Sequence, residues 1–224
     1  MKHRVALLDL WRFAALGLML VYHLLWDLEH FGALPAGLST RPWALALRDV
    51  CGGSFILISG AAARHSHDPA RRGLTVLAAG LLVSVVTTLL KLPVYFGILH
   101  LLGFCMLLYA LPTVRRAIRP GPGVGAAGLA LFILTALLTH SVRVDITWIY
   151  PLGLRSPDFY SADYWPLLPW AFLFALGTWL GPMLERLRQP RLPGWVTFLS
   201  RHSLAVYLLH QPLLYGLCAL CRNG

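Results

Sequence analysis

Asp9, Arg12, His23, Asp27 and His30 are five of the ionisable residues in one otherwise apolar stretch of the sequence. On an α-helix, at about 100° per residue from Asp9, Arg12 falls near ~300°, His23 near ~320°, Asp27 near ~0° and His30 near ~300°, an arc of about 60°. Scattered polar residues would not line up over that length, so the helix carries one polar stripe. Ionisable groups are costly in hydrocarbon and turn toward protein or water, which points the stripe into a bundle. Asp27 follows His23 by one helical turn, where a carboxylate can hold one ring nitrogen and leave the other as an oriented general base. Asp9 and Arg12 are spaced to pair near the start of the helix. They read equally well as a buried ion pair that fixes helix register.

Other segments supply residues to face this stripe. Arg48, Asp49, His100, Asp163, Tyr164, His210 and Gln211 each fall in the outer half or the middle of an apolar run, and together they describe a polar chamber around His23 and Asp27. Taken singly, His100 reads as a packing residue, and Arg201 with His202 as interfacial side chains. His3, His65, His67 and His140 read as solvated. No H-E-x-x-H, G-x-S-x-G or phosphate-cradling glycine loop occurs, which removes zinc-protease, serine-hydrolase and nucleotide-hydrolase readings. No metal site is expected, and acid–base chemistry within a membrane remains.

The elements that must position these residues follow from composition. Of the 224 residues 58% are hydrophobic and 12% charged, with a mean hydropathy of +0.67, more apolar than a water-soluble core of this length absorbs. The apolar residues form runs that match the thickness of a bilayer. Seven spans are expected at residues 5–28, 43–63, 73–90, 94–111, 123–139, 164–183 and 195–220, an all-α polytopic bundle forming a single domain over 1–224. Only Lys91, Leu92 and Pro93 separate the third and fourth spans, which must form a helical hairpin. Residues 140–163, with Pro151, Gly153 and Pro157, are the one long connection and read as irregular. Asp9 and Arg12 inside the first run, and its length, argue against a cleaved signal peptide.

The net charge of +10 could indicate nucleic acid, anionic lipid or orientation signals. The arginines lie in separate clusters between spans, without the basic, aromatic-interleaved stripe of nucleic-acid binders. Lys2, Arg4, Arg64, Arg71, Arg72, Arg115, Arg116, Arg119, Arg186, Arg188 and Arg191 fall on one side; Arg41, Lys91, Arg143, Arg155 and Arg222 fall on the other. That bias places the N-terminus in the cytoplasm of a cell membrane and the C-terminus outside. The cysteines Cys51, Cys105, Cys218 and Cys221 read as small packing residues, the C-x-x-C of the last two being a weak redox signal.

The segment 8–12 (LDLWR), followed by Ala14, Met19 and His23, resembles the opening of membrane acyltransferases, in which an arginine and a histidine at the spacing of Arg12 and His23 share the first span. Residues 23–32 (HLLWDLEHFG), 53–60 (GSFILISG), 97–100 (GILH), 163–170 (DYWPLLPW) and 201–212 (RHSLAVYLLHQP) resemble, in order, the blocks of the bacterial family named for the heparan-α-glucosaminide N-acetyltransferase catalytic domain. The resemblance covers nearly the whole chain. It implies transfer of an acetyl group from cytosolic acetyl-CoA, by way of a histidine, to an acceptor across the membrane. His23 or His30 would serve, with Asp27 and Arg12. The chain is shorter than the animal enzyme of that name and lacks its lumenal domain, so the heparan acceptor is not carried over and an extracytoplasmic sugar or glycan takes its place. Arg64, Arg71, Arg72 and Arg115 suit the phosphates of coenzyme A.

Two other classes fit parts of the pattern. Ionisable stripes also build the proton relays of transporters, although no internal repeat of the kind many transporters carry is visible. His23, His100 and His210 are also the residue type that ligates membrane haem. The acceptor's identity and homo-oligomerisation are left open by the sequence.

Overall fold

The computed structural model describes residues 5–142 and 144–223. Lys2, His3, Arg4 and Arg143, which entered the charge and histidine accounting, lie outside the described residues. Helices make up 74% of the described residues, and no strand occurs among them. In chain order the helices are α1 (Ala6–His30), α2 (Pro42–Ala63), α3 (Pro69–Leu89), α4 (Ile98–Ala110), α5 (Pro112–Ala117), α6 (Pro122–Ser141), α7 (Leu167–Arg186), α8 (Gly194–Arg201) and α9 (Ser203–Asn223), with a 3-10 helix over Thr147–Leu152. Six of them, α1, α2, α3, α6, α7 and α9, are long and apolar enough to cross a membrane; α4 is apolar but only 13 residues long. The protein is a polytopic helical bundle.

The described residues form two compact units. The first runs up to Phe55 and resumes at Arg188; the second covers Ile56–Leu187. In the first unit α1 and α9 run parallel. Arg12 meets Ser200 just ahead of α9, Leu16 and Met19 pack with Val206 and Tyr207, His23 meets His210 and His30 meets Tyr215. Cys51 of α2 closes this core and donates from Sγ to Ala15 O at 3.4 Å. Two spans that run parallel are joined by an odd number of intervening crossings. The helices α2, α3, α4, α6 and α7 supply that odd number only if the short α4 is a crossing.

The expected fourth span at 94–111 is helical only from Ile98, and the second unit shows why. Residues 93–97 run extended beside 161–165: Ala162 N donates to Pro93 O at 2.9 Å, Trp165 N to Phe96 O at 2.8 Å, and Tyr95 N to Ser161 Oγ at 3.1 Å. Asp163 then caps α4, its Oδ2 accepting from Ile98 N at 3.1 Å. Gly97 permits this approach, since a Cβ there would lie 2.6 Å from Asp163 Oδ2. A helix of this length reaches about 20 Å, and the paired extended lead-in continues its course with its backbone groups satisfied, as non-helical chain at membrane depth requires.

The expected hairpin is present. α3 and α4 pack antiparallel, Gly73 lying against Gly103 and Leu107, and Gly80 against His100. Lys91, with φ of 61°, makes the turn. The expected last span at 195–220 is two helices that break at His202, leaving α8 as a separate short segment with Trp195 and Phe198 exposed. The long connection contains the 3-10 helix, ended by Gly153 at φ 105°.

Within the second unit α2 and α7 meet through glycines: Gly177 against Leu57, Gly181 against Ala61, and Gly60 against Phe174 and Thr178. Small residues let membrane helices approach this closely. A Cβ at Gly60 would collide with the backbone carbonyl of Phe174 and come within 3.1 Å of Thr178 N, and neither backbone group can move aside cheaply. Gly60→Ala should therefore destabilise the protein by about 1–3 kcal/mol. Gly17→Ala, on α1 with nothing within 4 Å of the new methyl, should be neutral or stabilising by about 0.5–1 kcal/mol. Thermal unfolding of the detergent-solubilised variants measures the contrast.

Candidate functional site

The stripe on α1 is in place, and α8 and α9 answer it along its length. At its first end Arg12 Nη1 donates to Asp9 Oδ1 at 3.3 Å and to Ser200 Oγ at 3.2 Å, while Ser200 Oγ donates to Asp9 Oδ1 at 2.9 Å. Asp9 is 4% exposed and Ser200 1%. The pairing expected from spacing is therefore a closed triangle that clamps α8 onto α1. Gln189 Oε1 adds to it by accepting from Leu7 N at 3.1 Å. Neither Ser200 nor Gln189 stood out in the sequence, because each lies far from α1 along the chain and carries no periodic signal.

The other half of the stripe is arranged differently. Asp27 is fully buried, and its Oδ1 accepts from Gln211 Nε2 at 2.9 Å. The spacing suggested that Asp27 would orient His23; Nδ1 of His23 lies instead 2.9 Å from Met19 O of its own helix. A carbonyl oxygen can only accept, so Nδ1 carries the hydrogen and Nε2 is the basic nitrogen. His210 follows the same rule, its Nδ1 2.5 Å from Tyr207 O. The two imidazoles meet edge to face with centroids 4.6 Å apart. Both histidines are thus held by helix backbone in the tautomer that makes Nε2 the base.

Three atoms of this cluster, Asp27 Oδ2, Gln211 Oε1 and His210 Nε2, are buried with no hydrogen-bond partner among the described residues. Leaving a buried polar atom unbonded costs about 1–3 kcal/mol, and native structures seldom do so without water or a ligand in attendance. Three such atoms lie on side chains of this one cluster. His30, by contrast, is exposed; its ring stacks on Trp26 at 5.2 Å and Nε2 lies 3.4 Å from Tyr215 Oη.

The remaining expected chamber residues divide. Arg48 and Asp49 pair with each other at 2.8 Å with their side chains about half exposed, 46% and 45%. His100, Asp163 and Tyr164 belong to the second unit. His100 is buried with Nε2 3.2 Å from Ser84 Oγ, while its Nδ1 has no partner among the described residues. Asp163 caps α4, and Tyr164 Oη donates to Tyr150 O at 2.6 Å.

The arginines assigned to coenzyme A gather at one end of the second unit. Arg64 donates to Thr178 O at 3.2 Å, Arg71 and Arg72 open α3 as exposed side chains, and Arg115 lies 5.0 Å over the Tyr109 ring. His65, expected to be solvated, instead pairs with Glu185 at 3.0 Å. His67 and His140 are exposed, as expected.

No curated protein and no solved structure matches this chain. One protein family does, described as "Heparan-alpha-glucosaminide N-acetyltransferase, catalytic", and it matches residues 4–212. That span contains α1 whole and runs through α9 as far as Pro212, so every member of the buried cluster falls inside it. The chain belongs to the family of the heparan-α-glucosaminide N-acetyltransferase catalytic domain, a family of membrane acetyltransferases.

Proposed function

We propose that this protein carries an acetyl group from cytosolic acetyl-CoA to an amine or hydroxyl of an extracytoplasmic sugar or glycan, with His23 as general base. The observation that carries the reading is the tautomer of His23, fixed by Met19 O next to buried polar atoms with no partner. Family membership supports acetyl transfer as the reaction class. In the transfer, His23 Nε2 takes the acceptor's proton as the acceptor oxygen or nitrogen bonds to the acetyl carbonyl carbon. The carbon–sulfur bond breaks, and the proton passes to the departing thiolate. A positioned base of this kind contributes about 10²–10⁴-fold.

His210 would share the proton, a role supported by the contact of its ring with that of His23. Asp27 and Gln211 would orient the acceptor through Oδ2 and Oε1. Arg12 would act as a positioning residue that holds the first end of α1, and His30 would line the exposed end of the stripe. Arg48, Asp49, His100, Asp163 and Tyr164 are assigned to the acceptor side. Arg64, Arg71, Arg72 and Arg115 are assigned to the phosphates of the donor, with the N-terminus in the cytoplasm of the cell membrane, as the arginine bias supports.

Purified protein incubated with radiolabelled acetyl-CoA tests the chemistry. His23→Ala should lower transfer by about 10²-fold or more, while His30→Ala retains most of it; unchanged transfer in both variants sinks the histidine mechanism. Gln211→Leu leaves Asp27 buried without its amide partner and should cost about 1–3 kcal/mol in stability along with transfer, read by thermal unfolding and the same assay. Topology is checked separately by cysteine accessibility: residues substituted at Arg115 and Arg188 should label only from the cytoplasmic side, and labelling from outside would reverse the assignment.

A further inference from the structure

A cleft of about 580 Å³ opens in the second unit beside the α3–α4 turn, lined chiefly by Tyr95, Asp145, Ser156, Asp158, Phe159 and Tyr160. None of these belongs to the α1–α9 cluster. Its volume lies in the range of small-molecule sites, about 300–1,000 Å³, which combine apolar walls with a few placed polar groups.

The aromatic wall is organised from behind. Phe159 stacks on Tyr150 with centroids 5.0 Å apart and 23° between planes, and Tyr164 meets Phe159 at 5.0 Å. Tyr95 lies 6.2 Å from both Tyr150 and Phe159. Tyr164 Oη is tied to Tyr150 O, which joins the 3-10 helix to the segment before α7. Of the tyrosines lining the cleft, Tyr160 is 61% and Tyr95 47% exposed. Exposed tyrosine rings, with Tyr95 held beside a braced aromatic layer, offer apolar faces to the cleft at little entropic cost.

The polar side of the cleft is acidic. Asp145 and Asp158 are exposed carboxylates, which only accept hydrogen bonds, and Ser156 adds a hydroxyl. No lysine or arginine lines the cleft among the described residues. A sugar ring presents carbon-bound hydrogens on its face and hydroxyl donors at its edge, and this pairing of rings with carboxylates matches both. Two carboxylates repel a third negative charge, so the same cleft disfavours sulfated or uronic sugars.

We infer that this cleft is a saccharide-binding site for an uncharged, hydroxyl-rich sugar ring, stacked on the tyrosines with its hydroxyls bonded to Asp145 and Asp158. It rests on the acyltransferase reading only for what is then done to the sugar. The competing role for exposed tyrosines in a membrane protein is anchoring at the lipid–water interface, which requires no affinity for sugar.

The test uses the whole protein in lipid nanodiscs, titrated with methyl glucoside, methyl galactoside and methyl mannoside, and with methyl glucuronide as the anionic counterpart, read by saturation-transfer NMR. At least one neutral glycoside should bind saturably, and the glucuronide at least about tenfold more weakly. Tyr160→Ala and Asp158→Asn, both at exposed positions, should each weaken neutral binding at least about fivefold with the unfolding temperature unchanged. Absence of saturable binding by all three neutral glycosides, equal affinity for the glucuronide, or binding indifferent to both substitutions overturns the site. Acetyl transfer is scored in its own assay. A protein that binds the glycosides and never transfers acetyl overturns the function proposed above while the cleft stands, and one that transfers acetyl without such binding does the reverse.

Discussion

The hydrogen bond from Gln211 to Asp27 joins two parallel helices at a point where neither could present its polar face to lipid. A carboxylate inside a bilayer must be answered by protein or water, and Asp27 is fully buried with Gln211 on one oxygen. The helix pair α1–α9 is held in register around it. Leu16 and Met19 meet Val206 and Tyr207 below this bond, and His30 meets Tyr215 above it. Shifting one helix past the other by a single residue would carry Gln211 away from Asp27 and separate the paired imidazoles together. The polar contact thus selects one alignment of surfaces that are otherwise mostly apolar and permissive.

The accounting of hydrogen bonds along α1 separates two uses of the same stripe. Asp9, Arg12 and Ser200 close a triangle in which the side chains satisfy one another, and such a network fixes geometry. Two turns beyond His23's anchor at Met19, the cluster leaves one oxygen of Asp27, one of Gln211 and one nitrogen of His210 unanswered. A membrane interior strengthens what is bonded and penalises what is not. The first end accordingly behaves as a brace, and the second holds the polar atoms on which the proposed acceptor role rests.

Periodicity made this stripe legible in the sequence, because five ionisable residues falling within one arc of a helix is a local property. Positive charge was equally legible, since Arg64, Arg71, Arg72 and Arg115 collect at the connections of the second unit where short loops must lie. What stayed hidden was non-local. The spacing of His23 and Asp27 allows a side-chain pair, yet the carbonyl of Met19 lies as near as any carboxylate one turn away and is present in every helix. An apolar run through residues 94–97 looks helical until Asp163 and Ser161 arrive from far along the chain to bond the extended backbone. Hydropathy likewise passes through His202 without registering that α8 stops there to keep Ser200 against Asp9 and Arg12.

Asp163 shows how a residue of a short motif can carry a structural contact that the motif does not announce. The segment 163–170 helps identify the family, and a carboxylate at its head invites a role in chemistry. Its oxygen instead accepts from the first amide of α4, across a glycine that has no side chain to obstruct it. The constraint behind that pairing is the shortness of α4: a crossing that starts in extended chain needs its first helical amide satisfied from outside the helix. Capping therefore gives Asp163 a structural contact beside the acceptor role proposed for it, and in the proposed reaction proton transfer falls to His23, whose Nδ1 is held by the backbone.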